Sequence, residues 1–381
     1  MVKRVLKIIG LILLFIVSTL LILVVALYGA LNLAINGPSE HFRQVFVTSM
    51  MESSAGPIAI RLVLDEEEIN AILDQNKVIE STDITDTSLI SIMHEEAEEA
   101  NAAHSAAQQQ AIEEANDLDP DGDGIEIHEI SGPTFHGMMM IVYDPSRVVC
   151  ATISEYTHSG AGATLEQLIN NYGAVAGING GQYEDECGLG IGGWPVGMVF
   201  SRGSLRHCGI MEDADGNGVP DVDELPEGTE PPNPYEMSHS FCGFTNDDIL
   251  IVGTMSAGYA QSLGVRDGCS FGPALIVNGT PSSYVGSGGG LNPRTAIGQR
   301  EDGAVLMLCI EGRKTSSMGA SMADLIDIML QYGAVNAYNL DGGMSSSMYY
   351  NGEEIVDNAN IRSDRAIPTA FVVLPLPEEE N

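Results

Sequence analysis

The pattern of apolar and polar positions separates an N-terminal segment from the rest of the chain. Between Ile8 and Ile35 there is no charged residue, and most positions are Leu, Ile, Val, Ala or Phe. A bilayer span needs about 20 apolar residues, so this run predicts a transmembrane helix. The alternative is a cleavable signal peptide, whose apolar region is shorter, about 7–15 residues, and ends in a small-residue cleavage motif. Lys3, Arg4 and Lys7 precede the run, which predicts a cytoplasmic N-terminus and an extracytoplasmic remainder.

The remainder changes character near residue 124. We expect residues 1–36 to form the cytoplasmic tip and transmembrane anchor, and residues 37–123 to form an acidic, partly helical juxtamembrane stalk. Residues 65–116 are rich in Glu, Ala and Gln, which is typical of a solvated helical surface, and we assign them no chemistry. Residues 124–381 carry the patterns of a folded domain.

Strands and helices alternate in this domain. The alternation of apolar and charged residues at 125–130 predicts a half-buried strand. Further strands are predicted at 138–142, 148–153, 249–252, 304–310 and 369–374. Two helices are predicted by capping signals: Thr164 with Gln167 before Gly173, and Ser321 with Asp324 before Gly333. The expected fold class is α+β, a mixed β-sheet domain with packed helices, preceded by one N-terminal transmembrane helix.

The two predicted helices belong to a weak internal repeat. The residues Tyr-Gly-Ala-Val occur at 172–175 and again at 332–335; an Asn follows each Tyr by seven residues, and a Gly-Gly pair comes after it. These residues are Asn179, Gly180 and Gly181 in the first copy, and Asn339, Gly342 and Gly343 in the second. The pattern predicts two equivalent helix–strand–turn units, and strand ends are where sites assemble in open α/β sheets.

Polar groups suited to catalysis follow these strands. Asp341 comes directly after an apolar strand, where it could be a nucleophile, a general base or a hydrogen-bond orienter, or could only stabilise its own turn. The Gly-Gly pairs are expected to leave backbone N–H groups free for a ligand. Arg294, between Pro293 and Thr295, suits bidentate binding of an anion.

These segments resemble the phosphodiester glycosidase family over roughly residues 124–375. The resemblance depends on NGG at 179–181, NPRTAIG at 292–298 and NLDGG at 339–343 followed by Ser345, in that order. It implies hydrolysis of the bond between sugar C1 and a phosphate oxygen in a glycosyl-1-phosphate diester. Met344 departs from the pattern, because many members have a third Gly there, and a larger side chain would narrow the sugar pocket.

The resemblance also implies roles for single residues. The implied catalytic residues are Asp341, Arg294 and Asn179, with Glu184 and Asp185 as candidates for a second carboxylate; the implied substrate-binding residues are Gly180, Gly181, Thr295, Arg313, Gly342, Gly343, Ser345 and Arg365. Arginines would neutralise the leaving phosphate, and Asp341 would serve as nucleophile or as base for water. The separation of the two carboxyl groups distinguishes a retaining from an inverting enzyme.

A separate acidic loop has the spacing of a calcium site. Its predicted Ca²⁺ ligands are Asp213, Asp215, Asn217, Val219 through its carbonyl, Asp221 and Glu224, with Gly218 next to the central turn. We interpret the loop as a calcium-binding insertion at about residues 212–236. The alternative is an acidic, glycine-rich surface loop that binds no metal. Residues 119–124 begin the same pattern, but Ile130 stands at its last ligand position.

The six Cys residues are consistent with disulfides in an oxidising compartment. Cys208 and Cys242 bracket the acidic insertion and could pair, although the sequence leaves the connectivity open. The alternative is a set of buried free thiols.

Net charge narrows the classes of partner. With 16 Lys plus Arg against 53 Asp plus Glu, the formal net charge is −37, which excludes a nucleic-acid binder held by phosphate contacts. The sequence therefore favours a membrane-anchored, extracytoplasmic glycosidase whose substrate is a sugar-phosphate diester, plausibly in a surface glycopolymer or exopolysaccharide. The rivals are a non-catalytic, calcium-stabilised glycan-binding module and an enzyme that cleaves a different phosphate ester.

Overall fold

The structure, a computed structural model, describes residues 2–53, 56–92, 122–185, 191–209, 233–356 and 365–377. The helices in these residues are α1 (Val2–Asn36), α2 (Glu40–Met51), α3 (Gly56–Ile60), α4 (Glu66–Asp74), α5 (Leu165–Tyr172), α6 (Ala257–Ser262) and α7 (Met322–Gln331). Short 3-10 turns occur at Thr87–Leu89, Pro145–Arg147 and Gly343–Ser345.

Nineteen strands are present in the described residues. In the first half they are β1 (Val78–Ile79), β2 (Ile125–Ser131), β3 (His136–Val142), β4 (Val148–Thr152), β5 (Ala176–Asn179), β6 (Gly197–Ser201), β7 (Ser204–Gly209), β8 (Ser238–Thr245) and β9 (Leu250–Ser256). The others are β10 (Val265–Cys269), β11 (Ala274–Val277), β12 (Thr280–Pro281), β13 (Ser283–Tyr284), β14 (Arg294–Arg300), β15 (Val305–Ile310), β16 (Ala334–Leu340), β17 (Met348–Tyr350), β18 (Glu353–Val356) and β19 (Thr369–Val373).

Three larger sheets build the domain. Their strand orders are β12-β11-β16-β14-β15-β3-β2, β18-β17-β5-β19-β4 and β7-β6-β10-β8-β9, and β1 pairs with β13 in a separate ribbon. The α+β class is confirmed. Every ladder between the described strands is antiparallel, so the predicted mixed sheet is a set of antiparallel sheets.

One apolar core joins the three sheets. Tyr338 and Ile297 from the seven-stranded sheet, Phe371 and Ile178 from the β5 sheet, and Phe244 from the β8 sheet belong to the same buried cluster. Burial of apolar surface on this scale is the main favourable contribution to folding. It also brings the ends of β5 and β16, which lie in different sheets, next to each other.

The two capping signals act as predicted. The Thr164 hydroxyl accepts from the Gln167 N–H at 3.2 Å and starts α5. The Ser321 hydroxyl accepts from the Asp324 N–H at 3.2 Å and starts α7. Gly173 ends α5 in the left-handed conformation at φ 63°, which glycine adopts without a Cβ penalty. Each helix leads into the strand that carries a Gly-Gly turn.

The N-terminal run is the long helix α1. Within it, Leu6–Asn36 has 31 residues and contains an 18-residue stretch of mean hydropathy 3.3, so it is long and apolar enough to cross a membrane. Its large apolar side chains are exposed, Leu14 at 65% and Leu27 at 72%, as expected of a surface that contacts lipid.

Residues 37–92 pack on the domain, which differs from the solvated stalk expected over 37–123. β1 pairs with β13, and the Thr85 hydroxyl donates to the Val252 carbonyl at 3.1 Å. The Glu80 carboxylate accepts from the Ala274 N–H at 2.9 Å. The acidic run at 95–100 lies outside the described residues.

The expectation of disulfides is not met among the described residues, and Cys208 does not pair with Cys242. Both are free thiols, as are Cys150, Cys269 and Cys309. Cys242 is buried in the core opposite Cys269 on β10, whereas the Cys208 thiol contacts the Pro234 carbonyl at 3.0 Å. Cys187 lies outside the described residues.

Candidate active site

The two Gly-Gly turns of the repeat meet at the centre of the candidate site. Asn179 is the last residue of β5, and Asp341 follows the last residue of β16. The Asn179 Nδ2 donates to the Asp341 carbonyl at 2.7 Å, and the Asp341 N–H donates to the Gly180 carbonyl at 3.1 Å. These bonds fix the backbone of Asp341, so its carboxylate has a defined position at the strand end.

The Asp341 carboxylate is half-buried and perturbed. Burial raises its pKa to about 6, and the nearby charge of Asp185 acts in the same direction. Hydrogen bonds from Ser345 and from the Gly342 N–H, together with the charge of Arg365, oppose the rise. A carboxyl group with a pKa near neutral can exchange a proton under physiological conditions, which general acid–base catalysis requires.

The structure separates the two candidates for the second carboxylate. Asp185 forms an ion pair with Arg365, and its charge acts on Asp341. The Glu184 carboxylate does not take part in this ion pair and instead contacts His158 Nδ1 at 2.7 Å. His158 stacks on Trp194 at a centroid distance of 4.0 Å, and Trp194 lines a cavity of about 410 Å³. Asp185 is therefore the candidate that shares the Asp341 site.

Tyr183 is a site residue that the sequence did not single out. Its hydroxyl accepts from Arg365 Nε at 2.6 Å and contacts the Ser345 hydroxyl at 3.1 Å. Burial and the charge of Asp341 raise the pKa of Tyr183 to about 12. The phenol thus stays protonated and links Arg365 to the hydroxyl beside Asp341. Tyr183 lies two residues after the first Gly-Gly turn, and this position is the one feature of the sequence that could have identified it as a site residue.

The glycine N–H groups are not free for a ligand, contrary to expectation. The N–H groups of Gly180 and Gly181 donate to the carbonyl and hydroxyl of Thr369, each at 3.0 Å. The Gly342 N–H donates to the Asp341 carboxylate at 2.9 Å, and the Gly343 N–H donates to the Pro293 carbonyl at 3.0 Å. A Cβ on Gly181 would lie 2.3 Å from the Ser270 carbonyl, so close backbone packing requires glycine there.

Asn179 and Thr295 lie behind the site. Both are fully buried, and the Thr295 hydroxyl donates to Asn179 Oδ1 at 2.7 Å. The same oxygen accepts from the Ser347 N–H at 3.2 Å. Both the nitrogen and the oxygen of the Asn179 side-chain amide are therefore hydrogen-bonded within the protein. Asn179 positions Asp341 and does not face a ligand.

Arg294 binds a carboxylate of the protein itself. Its guanidinium donates to Glu52 Oε2 at 2.5 Å and to the carbonyls of Gly290 and Ala320 at 2.8 and 3.2 Å. Glu52 follows α2 directly, and its other oxygen accepts from the Gly290 N–H at 2.8 Å. The sequence does not indicate Glu52 as a site residue, because nothing in the local pattern near it predicts a contact with Arg294, about 240 residues away.

Arg313 carries a second guanidinium to the Asp341 turn. A Cβ on Gly343 would lie 3.4 Å from its Nη2, which also donates to Asn292 Oδ1 at 3.1 Å. Burial and the charge of Arg294 lower the pKa of Arg313, while Glu52 opposes this shift. Its backbone adopts φ 58°, in the left-handed region. Two guanidinium groups thus lie near the Asp341 turn: the charge of Arg365 acts on the Asp341 carboxylate, and Arg313 lies against Gly343.

The predicted calcium ligands, Asp213 to Glu224, lie outside the described residues. Asp123, from the second acidic pattern, accepts from the Ile125 N–H at 2.9 Å and from the Tyr350 hydroxyl at 3.0 Å. Within the described part of the chain, no group of three His, Cys, Asp or Glu side chains is arranged to hold a metal ion.

Residues 172–374 match the family model described as phosphodiester glycosidase, a region that includes both Gly-Gly turns, Arg294, Arg313 and Arg365. The SPbeta prophage-derived uncharacterized protein YomE of Bacillus subtilis is 34% identical over 116 residues, 29% of this chain and 18% of the relative. N-acetylglucosamine-1-phosphodiester alpha-N-acetylglucosaminidase of Bos taurus is 26% identical over 194 residues, 50% of this chain and 34% of the relative. The chain thus aligns with about a third or less of the length of these relatives.

Among solved structures, the catalytic domain of the zebrafish N-acetylglucosamine-1-phosphodiester alpha-N-acetylglucosaminidase aligns with a TM-score of 0.48 and 19% identity. The alignment covers 66% of this chain and 82% of the zebrafish chain.

Proposed function

Because this chain belongs to the phosphodiester glycosidase family, we propose that it hydrolyses the bond between sugar C1 and the phosphate oxygen of a glycosyl-1-phosphate diester. The observation that carries the proposal is the Asp341 carboxylate, whose pKa is raised to about 6 and whose turn has both Arg365 and Arg313 close to it. The proposed source of such a diester is a surface glycopolymer or exopolysaccharide with sugar-phosphate links.

The arrangement supports a division of roles. Asp341 acts as base for the attacking water or as nucleophile at C1, because its ionised form prevails above its pKa. A phosphate monoester is a good leaving group, so the reaction needs charge neutralisation more than a strong general acid. Arg313 and Arg365 supply that charge, and guanidinium groups suit phosphate oxygens geometrically. Ser345, held by Tyr183, orients the Asp341 carboxylate.

Asp185 is the second carboxylate of this proposal. Its ion pair with Arg365 holds the guanidinium in place, and its negative charge keeps the pKa of Asp341 high. Arg294 has a positioning role, because its Nε and Nη2 already bind Glu52 and two carbonyls of the protein. Asn179 and Thr295 act through the backbone of Asp341.

The proposed location is a membrane, with α1 as a single-pass anchor and the catalytic domain on the extracytoplasmic side. Its support is the length and hydropathy of α1 and the positive residues that precede the apolar run.

The test uses the full chain in detergent with a panel of glycosyl-1-phosphate diesters that differ in sugar. We expect release of free sugar by the native protein and at least about a thousandfold loss in Asp341→Asn. Asp247→Asn, an exposed Asp on a turn outside the site, is the matched control. Solvent labelled with ¹⁸O should place the label in the sugar, because C1–O cleavage leaves the original oxygen on phosphate. Label in the phosphate would indicate a different phosphate esterase, and binding without hydrolysis would favour a glycan-binding module.

A further inference from the structure

The end of α1 is packed into the protein. Ile35, next to the last residue of α1, is fully buried in one cluster with five residues of the following helices and their turns, Val47, Ile60, Leu64, Ile69 and Ile72. Only residues 37–39 separate α1 from α2, and the Ser39 hydroxyl caps α2 by accepting from the Phe42 N–H at 3.2 Å. α2 is therefore held against the end of α1 by a short, packed connection.

α2 leads directly to the candidate site. Its 12 residues span about 18 Å at 1.5 Å per residue, and Glu52 follows its last residue. Glu52 binds Arg294 and Gly290, and the Ser49 hydroxyl accepts from the Leu291 N–H at 2.8 Å. The 290–294 loop, which supports Arg313 and the Gly343 turn, is thus attached to the end of α1 through one helix.

The helices around this connection expose large apolar side chains. Phe42 on α2 is 53% exposed, Ile58 on α3 is 62% exposed, and Leu62 in the following turn is 65% exposed. Leu33, in the last turns of α1, is 72% exposed. Phe42, Ile58 and Leu62 form what we call the juxtamembrane apolar set. Apolar side chains next to a transmembrane helix are suited to the boundary between headgroups and acyl chains.

We propose that the juxtamembrane apolar set lies in the bilayer surface and holds the Asp341 site there, so that the substrate is a glycosyl-1-phosphoryl lipid. The inference rests on the proposed function. In such a substrate the second phosphate ester is to a membrane lipid alcohol, which keeps the phosphodiester in the headgroup layer. Water adds to C1, the bond from C1 to the phosphate oxygen breaks, and the products are the free sugar and the lipid phosphate monoester. The proton released by water passes to Asp341 and then to solvent.

A membrane-bound substrate accounts for the connection better than a soluble polymer does. A soluble polymer reaches a site at any height, and a long solvated stalk would serve it equally well. A site held within one helix of the bilayer meets a substrate confined to the same layer at a higher effective concentration, because both partners are tethered to one surface. The net charge of −37 opposes binding to anionic headgroups, so the inference is specific to a neutral lipid surface.

The test compares two esters of the sugar-1-phosphate that the diester panel identifies. The dodecyl ester is embedded in phosphatidylcholine bilayer discs that also hold the full-length protein, and the methyl ester is supplied in water. We expect kcat/KM for the dodecyl ester to exceed that for the methyl ester by about tenfold or more. In the variant Phe42→Ser, Ile58→Ser, Leu62→Ser this preference should disappear, while methyl ester hydrolysis stays within about twofold of the native rate. Ile84→Ser with Leu376→Ser, exposed apolar residues elsewhere in the chain, is the matched control.

A second variant addresses the connection itself. Insertion of six Gly-Ser residues after Pro38 loosens the link between α1 and α2 without altering the apolar set, and we expect it to reduce hydrolysis of the dodecyl ester alone. An equal rate for both esters in native protein, or an equal loss for both in the triple variant, would overturn the inference and leave the proposed function standing. No hydrolysis of any diester would overturn the proposed function itself.

Discussion

The side-chain amide of Asn179 donates a 2.7 Å hydrogen bond to the backbone carbonyl of Asp341, which lies 162 residues further along the chain. The bond joins the end of a strand in one sheet to the end of a strand in another. Thr295 Oγ1 donates to the same amide at 2.7 Å, so the three residues form a buried chain from β14 to the candidate catalytic carboxylate. The position of Asp341 therefore depends on residues that do not contact a ligand.

Loss of the Thr295 hydroxyl tests this dependence. We expect Thr295→Val to lower kcat by roughly tenfold with KM nearly unchanged, because the Asn179 oxygen keeps only the Ser347 N–H as a donor and the loss of a buried hydrogen bond, about 0.5–1.5 kcal/mol, loosens Asp341. Thr295→Ser keeps the hydroxyl and is the matched control. Steady-state kinetics on the best diester gives both constants. A rise in KM at constant kcat would place Thr295 at the substrate instead.

The pH dependence of the reaction should follow Asp341. Its pKa is raised to about 6, and the ionised form is the one that acts as base or nucleophile. We therefore expect kcat/KM to rise with pH through about 6 and to level off above it. A profile measured between pH 4 and 8 gives the midpoint.

Two charge variants shift that midpoint in opposite directions. The charge of Asp185 raises the pKa of Asp341 and that of Arg365 lowers it, so Asp185→Asn should move the rising limb to lower pH and Arg365→Gln to higher pH. The rate at the plateau falls in both variants, and the informative quantity is the midpoint. Shifts in the same direction would mean that another group controls the profile.

The ion pair between Glu52 and Arg294 should stabilise the fold. Arg294 is buried and Glu52 is partly exposed, so Glu52→Gln leaves a buried guanidinium without its carboxylate, at a cost of roughly 1–3 kcal/mol. Urea denaturation of the full chain in detergent measures the free energy of unfolding. Glu40→Gln, which removes an exposed carboxylate 3.8 Å from Arg43, should change stability by less than about 0.5 kcal/mol. Equal effects of the two variants would contradict the proposed anchoring.

The acidic insertion is proposed to bind calcium through Asp213, Asp215, Asn217, Val219, Asp221 and Glu224. We expect a chelator to lower Tm and calcium to restore it, with an affinity of about 10⁻⁴–10⁻³ M. Glu224→Gln should abolish the response, while the exposed Asp247→Asn should leave it intact. A Tm that is independent of calcium would make the insertion an ordinary surface loop.

Local signals predicted the elements well, because they act within a few residues. The caps at Thr164 and Ser321, the strand at 125–130 and the strand that precedes Asp341 all depend on short-range spacing. The motifs also singled out Asp341, Arg313 and Arg365, which lie near one another in the structure and whose roles stay predictions. In each case, the side chains that identify the element or motif are within a few residues of it in the sequence.

Partners distant in sequence were not predictable in this way. Tyr183 and Glu52 enter the site through contacts fixed by sheet packing and by the docking of α2. Cys208 and Cys242 flank the same insertion along the chain but do not pair, because Cys242 is buried in the core. The glycine N–H groups were expected to face a ligand, but Thr369 and Pro293 come close enough to accept from three of them.

At Arg313, the conformation of the backbone lowers the stability of the fold, whereas the side chain supports the proposed activity. Its left-handed backbone, φ 58°, costs about 1 kcal/mol relative to an extended or helical conformation, and glycine would bear it more easily. We expect Arg313→Gly to be at least as resistant to thermal unfolding as the native chain while losing most of its turnover, a pair of results that melting curves and initial rates would show. The charge of Arg313 therefore comes with a less favourable backbone conformation, and stabilising substitutions made in the domain should leave this residue unchanged.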